Sequence, residues 1–362
     1  MGHSIKKLIK SSVGRISDSH LRHVHNQMAL NSLNELGKKE KLSTEEQQAI
    51  AALWRQIGYR SHGEWHRLYK AVNGFDARYV PDDVYGLEIL PRLNTTNLLA
   101  AWDDKSYYPK FFPEIKQPTA IAFVIDSLFY NHSYQLVNLD DLTHTILEAY
   151  DKIVIKPSDG LEGRGVEILN IQDFDFKMLK WRLQSFAKNY VIQEVIEQHD
   201  SLSIYNKSSV NPIRVMTLRL GGEIHYLHST LRFGSPGSHT DMSFVNGKEI
   251  AHVCAISRVG TVSDTWYDMD GKKSLISGLS IQAQKTIPNF SSIIDTALYV
   301  HNGLHHFDLV GFDFTINKEL EPIMIEYNVF WPGSIIPQYC HGPLFGELTE
   351  ELINQLKNKP KK

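Results

Sequence analysis

The stretch Lys152-Ile153-Val154-Ile155-Lys156-Pro157-Ser158-Asp159-Gly160-Leu161-Glu162-Gly163-Arg164-Gly165-Val166 is an apolar run that ends on a lysine and opens into a glycine-rich turn. Three β-prone residues in a row predict a buried strand, and Pro157, which has no N–H to donate, is expected to stop its ladder after Lys156. Gly160, Gly163 and Gly165 let backbone N–H groups approach an anion closely while Lys156 adds a full positive charge, which together make a phosphate clamp. The lysine precedes the glycines, so the segment is not a P-loop. Nor is it a dinucleotide fingerprint, whose glycines open a long helix. Taken alone, it is equally compatible with a tight hairpin and an incidental lysine.

A chain of 362 residues can hold two or three subdomains and a large core. Its formal charge of -3 gives no basic field for nucleic acid, so small molecules are the expected partners. No apolar run is long enough to cross a membrane, and the amino terminus lacks a signal peptide's apolar centre. Cys254 and Cys340 are far apart and make no disulfide framework, which points to a reducing cytoplasm. Within residues 1–30, Lys6, Lys7, Lys10, Arg15 and Arg22 face one acid, Asp18, and Ile5, Leu8, Ile9, Val13 and Ile16 share a helical face. A helix docked on its own protein is the expected reading, with weak peripheral membrane contact as the alternative.

Residues 17–75 read as helical. Ser43 and Glu46 form a capping box, Ile50, Leu53, Trp54 and Ile57 make an apolar stripe, and Gly58 is a stop. From about 80, prolines punctuate a connector into a new domain. Beyond it, strands are expected at 121–125, 152–155, 166–169 and 190–196, and helices at 139–150, capped by Asp140 or Asp141, and 174–186. A hairpin turning at Gly221-Gly222 joins 215–220 to 223–230.

A second chemical feature lies near the end, in Val310-Gly311-Phe312-Asp313-Phe314-Thr315-Ile316 and Ile323-Met324-Ile325-Glu326-Tyr327-Asn328. Alternation puts Asp313 opposite its flanking phenylalanines and Glu326 and Asn328 on one face, so pairing the two strands would bring the three together. Two carboxylates about 4 Å apart repel by roughly 4 kcal/mol at an effective dielectric near 20, so positive charge is expected between them. Oxygen donors suit magnesium or manganese. The plainer alternative is a pair of acids on the wet face of a hairpin.

Asp104-Lys105, Ile155-Lys156-Pro157 with its glycine turn, Gln193-Glu194-Val195-Ile196, Ile213-Arg214-Val215, Gly311-Phe312-Asp313 and Ile325-Glu326-Tyr327-Asn328 occur in an order that resembles the ATP-grasp superfamily. More narrowly, the chain is similar to the sugar-transfer-associated branch found near polysaccharide and cell-surface glycan genes. The resemblance spans about residues 80 to 345. It implies an α+β fold with two lobes gripping ATP, here preceded by a helical region over 1–80, with lobes at 81–192 and 193–362. Lys105 and Lys156 would hold the ATP phosphates, the 160–165 loop would cover them, Gln193, Glu194, Val195 and Ile196 would cradle adenine, and Asp200 would meet the ribose. Asp313, Glu326 and Asn328 would bind magnesium, or manganese. Arg214 would face the transferred phosphoryl group or the substrate carboxylate.

The family typically activates a carboxylate as an acyl phosphate that an amine or similar nucleophile then displaces, releasing ADP and phosphate. The resemblance thus implies a carbon–nitrogen ligase acting on small-molecule acids and amines, with a sugar or glycan precursor as one candidate. A kinase on the same scaffold and a non-catalytic nucleotide-binding scaffold are the alternatives. Relatives often carry an aspartate–asparagine pair and paired glycines near the acceptor. Here the stretch 232–247 keeps only Asp241 and one glycine, and Arg232 and Asp241 are the substrate candidates.

Overall fold

The computed structural model describes residues 18–59, 62–160, 165–235, 237–238, 240–245, 248–279 and 286–361. Gly163 and the basic residues up to Arg15 therefore lie outside the described residues.

The first sheet comprises β1 (Ala120–Ile125), β2 (Leu128–Asn131), β3 (Lys152–Pro157), β4 (Glu167–Asn170) and β5 (Tyr190–Glu194), in the order β2-β1-β5-β3-β4 with every neighbouring pair antiparallel. Alternation along β3 sends Ile153 and Ile155 into a core with Leu142 and Ile146 of helix Leu139–Ala149 and Leu179 and Leu183 of helix Phe176–Ser185. Each such side chain contributes roughly 1.5–3 kcal/mol of apolar burial. Val154 and Lys156 consequently face the other way. Two expectations need correction. Pro157 does not end the strand: pairing with β4 stops at Ile155, but Pro157 still sits opposite Tyr190 on β5. Helix Leu139–Ala149 is capped by Asn138, whose side chain accepts from the Asp140 N–H at 2.7 Å, rather than by either aspartate.

The second sheet is built from β6 (Ile213–Leu220), β7 (Glu223–Phe233), β10 (His252–Ile256), β11 (Val262–Tyr267), β12 (Lys273–Leu275), β13 (Leu309–Ile316) and β14 (Pro322–Asn328), with β8 (Ser243–Val245) and β9 (Lys248–Ile250) forming a separate hairpin. The sheet order is β12-β11-β10-β7-β6-β13-β14. Gly221 and Gly222 turn the β6–β7 hairpin at φ +60° and +90°, conformations that suit glycine. One face buries Ile213, Val215, Leu231, Phe312 and Phe314 against Ile293, Ala297 and Val300 of helix Phe290–Gly303.

The opposite face is divided. At one end Met216, Leu218 and Leu309 pack under Trp54, Ile57, Tyr85 and Leu352, so the amino-terminal helices and the carboxy-terminal helix Thr349–Leu356 together close that end of the sheet. At the other end the same face carries Arg232 and Asp313 into a cleft, with Arg214 bonded to Asp313. Helices Asp18–Glu35, Thr44–Trp54 and Glu64–Asn73 form in the expected region. The Ser43–Glu46 capping box is present, with Glu46 N–H donating to Ser43 Oγ at 3.2 Å and Ser43 N–H to Glu46 Oε2 at 2.7 Å. Gly58 ends the following turn at φ +103°. Ala29 and Leu33 of helix Asp18–Glu35 are buried with Trp65, Tyr69 and Tyr339; the helical face Ile5, Leu8, Ile9, Val13 and Ile16 lies outside the described residues. No helix among the described residues is long and apolar enough to cross a membrane. β5 runs through position 192, so the strand continues to Glu194 past the expected lobe boundary.

Candidate active site

The two sheets present their free faces to one cleft. Lys105, Lys156, Gly160, Asp313 and Glu326 all line it, as do Gln193, Glu194, Val195 and Ile196, and Arg232 with Asp241. The sequence-distant lysines and carboxylates thus share one cavity.

Lys156 reaches the cleft by the alternation of β3. Lys105 arrives from a turn before β1, where Asp104 accepts from the Ser106 N–H at 2.8 Å. Its backbone N–H donates to Ser158 O at 3.0 Å, which fastens it to the loop after β3, and its Nζ donates to Gly160 O at 2.8 Å. The same ammonium lies 3.2 Å from Glu326 Oε2 on the other sheet. Burial alone would lower Lys105, but Glu326 and Asp103 outweigh it and hold its pKa above the ordinary lysine value. At Lys156 the pull of Glu326 is outweighed: burial first, and the neighbouring Lys105 second, push it down to about 8.

Across the cleft, Asp313 sits opposite Glu326 on β14 and opposite Arg214 on β6. Glu326 pairs with Asp313 but Met324 pairs with Phe314, leaving Ile325 as an extra residue. This β-bulge lets Met324 and Tyr327 both enter the core while Ile325 and Glu326 both line the cleft. Arg214 grips Asp313 with both prongs, Nε to Oδ1 at 2.5 Å and Nη2 to Oδ2 at 2.7 Å, and its Nη1 donates to Pro332 O at 3.0 Å. Arg232 is ion-paired with Asp241 and its Nη2 lies 4.0 Å from Asp313 Oδ2. Each acid thus has a cation of the protein against it, Arg214 at Asp313 and Lys105 at Glu326. Burial would raise Glu326, yet Lys105, Lys156 and Arg214 hold it well below the usual carboxylate range, while burial pushes Asp313 up against the pull of Arg214 and Arg232.

Other expected residues stand apart. Asp200 is exposed at the start of the short helix Asp200–Ser203 and does not line the cleft. Gly165 adopts φ +72° in the turn, with Pro157 at 3.0 Å from where its Cβ would be. Arg214 stands behind Asp313 rather than among the lining residues. Asn328 pairs opposite Gly311, and its buried Nδ2 has no hydrogen-bond partner among the described residues. Among the described residues no group of three or more His, Cys, Asp or Glu side chains is gathered to hold a metal by itself. The oxygen donors Asp313, Glu326 and Asn328 nevertheless suit magnesium or manganese, since magnesium is usually held by one or two carboxylates with phosphate and water completing the shell, and each Asp313 oxygen keeps a second lone pair.

The apolar walls, Val154, Ile168, Val210, Pro212 and Ile325, were not singled out from sequence. For Val154 a signal existed, because a third β-branched residue between two core isoleucines must leave the core face.

Two antiparallel sheets facing across one cleft, lysines on the first side and carboxylates on the second, have the arrangement of an ATP-grasp protein. The match of a family profile makes the assignment specific. The chain belongs to the sugar-transfer associated ATP-grasp family, which is matched over residues 87–350. No curated protein matches the chain. Solved structures similar to it include D-alanyl-alanine synthetase A from Vibrio cholerae O1 biovar eltor (11% identity, 72% of this chain and 65% of that one, TM-score 0.42). The ATP-grasp ligase PsnB complexed with its minimal precursor is 12% identical over 73% of this chain and 63% of that one, with a TM-score of 0.43. The D-cycloserine synthetase DcsG is 11% identical over 87% and 94%, also at 0.43. The chain spans just under two thirds of the synthetase and of PsnB, and likenesses this distant carry no argument about its chemistry.

Proposed function

We propose that the protein is an ATP-dependent ligase that joins a carboxylate to an amine or similar nucleophile through an acyl phosphate, acting on a glycan or its precursor. The observation that carries this reading is the meeting of Lys105 and Lys156 with Asp313 and Glu326 in one cleft, supported by membership of the sugar-transfer associated family. In this reading the first lobe, 81–192, supplies the phosphate-binding cations, the second, 193–362, the acidic face, and the helical region 1–80 supports them. Two thiols that are both free fit a reducing cytoplasm.

A substrate carboxylate oxygen attacks the γ-phosphorus and ADP leaves. The amine then attacks the acyl carbon, phosphate departs, and the amine gives up a proton. The protein's part is to bring anions together against their repulsion. Lys105 and Lys156 offset the triphosphate charge, and Val154, Ile168 and Ile325 keep water from the flanks. Arg214 holds Asp313 in orientation, and Arg232 with Asp241 offers a charged pair to the acceptor. Held by Asp313, Glu326 and Asn328, magnesium would neutralise phosphate charge when bound.

Screening carboxylate and amine libraries for ATP-dependent ADP release, read by mass spectrometry, tests the proposal. ADP and phosphate, with an acyl hydroxamate on adding hydroxylamine, are expected. AMP and pyrophosphate would overturn it, as would a phosphorylated product without free phosphate, the mark of a kinase. ATP binding without transfer would point to the scaffold.

A further inference from the structure

We propose that the amino-terminal helical layer, together with the turn 82–89 that follows it, sets the position of Arg214, with Gly86 and Trp331 acting as positioning residues through the Pro332 carbonyl. The inference rests on reading the cleft as a nucleotide site. Arg214 has three bonded nitrogens, two on Asp313 and the third, Nη1, on Pro332 O at 3.0 Å. The direction of the guanidinium therefore depends on where residues 331–334 lie, and those residues are held from outside the sheet.

Trp331 is clamped on three sides. Its ring stacks on His25 of helix Asp18–Glu35, with centroids 5.6 Å apart and planes at 14°. It meets Tyr85 edge-on at 5.8 Å and 80°. On the third side lies Gly86, where an added Cβ would stand 2.0 Å from Trp331 Cη2 and 2.8 Å from Cζ2 and Cζ3. Gly86 belongs to a π-helical turn, Tyr85–Ile89, and wide turns of this kind are frequent at functional sites. Further along the segment, Ser334 Oγ donates to Asp82 Oδ1 at 2.6 Å, and Asp82 Oδ2 pairs with His25 Nδ1 at 2.6 Å. All three groups are almost fully buried.

The sheet provides the matching recess. A Cβ on Gly311 would lie 3.0 Å from Pro332 Cβ, 3.0 Å from Met216 Sδ and 3.3 Å from Arg214 Cδ, so the absent side chain lets arginine and proline lie across β13. A continuous series of contacts thus runs from His25 and Gly86 through Trp331 and Pro332 to Arg214 and Asp313. The helical layer is part of the site's construction and more than a cover on the sheet.

The test is calorimetric binding of ATP with magnesium chloride to the full chain, with thermal melts run in parallel. Gly86→Ala is expected to weaken ATP about tenfold while the melt stays cooperative. Trp331→Phe removes the colliding ring atoms, so the double variant should recover to within about threefold of wild type. In an Arg214→Ala background, Gly86→Ala should add less than about twofold, because the effect it transmits is already gone. Should Gly86→Ala fail to fold, Ser334→Ala adds no bulk and should give about a threefold loss that also vanishes in the Arg214→Ala background. ATP affinity unchanged by these substitutions, or losses that simply add to that of Arg214→Ala, overturns the proposal alone. A wild-type chain that binds no ATP overturns the nucleotide reading and this inference with it.

Discussion

Lys156 is buried, beside a second lysine, and its ammonium is destabilised for both reasons, a cost that a bound anion would relieve. Removing that charge should stabilise the ligand-free protein. With the pKa lowered from 10.5 to about 8, Lys156→Met is expected to gain at most about 3 kcal/mol in denaturant unfolding while binding ATP more weakly. The sign with pH follows from which state holds the proton. The penalty is complete below about 8 and fades as the pH rises from there to 10.5, so the variant's advantage should be widest near neutrality and close over that interval. An advantage that grows over the same interval would refute the assignment. Glu326→Gln should keep the melting temperature within a few degrees and abolish metal-dependent turnover; normal turnover would remove Glu326 from the site. These two residues were legible in the sequence because a charge at an extended, apolar segment's end stands out. The Arg214–Asp313 grip was not, since strands 99 positions apart in sequence must first be placed side by side.

At the scale of elements, period-two and helical spacing located β1, β3 to β7, β13, β14, the helices within 18–73, and helices Leu139–Ala149 and Phe176–Ser185, because side-chain periodicity follows backbone geometry directly. It did not locate β2, β8 to β12 or helix Phe290–Gly303. The bulge at Ile325 escaped, since Met324-Ile325-Glu326 reads as an ordinary alternation and only the partner strand reveals the extra residue. Its consequence is measurable: Ile325→Ala trims the wall beside Glu326 and should cost nucleotide binding about 2 kcal/mol, near thirtyfold, by calorimetry. The capping box was legible from its Ser-x-x-Glu spacing. Ser43→Ala should lower unfolding free energy by about 1 kcal/mol, seen in urea titrations, because helix Thr44–Trp54 loses the oxygen that accepts its Glu46 N–H.

For the whole molecule, the amino-terminal layer supplies Trp54 and Ile57 to the core that covers Met216, Leu218 and Leu309. A chain begun at residue 81 should therefore expose that end of the second sheet and associate or unfold, as size-exclusion chromatography and circular dichroism would show; a monomeric, cooperatively folded truncation would contradict the packing. The sequence marked this region as helical, yet nothing in a single helix's pattern names the surface it will cover. Docking against β6 and β13 emerges only once the sheet exists.

Lys105 is bonded to Gly160 and paired with Glu326, so it spans the cleft from side to side. A polyanion arriving alone would draw the lysine off and strand the glutamate; a divalent cation arriving alone would strand the lysine. Delivered together they exchange partners evenly, so nucleotide and metal should show positive heterotropic linkage, each tightening the other by the same factor. Titrating ATP at several magnesium concentrations measures that factor, and Lys105→Met should shrink it.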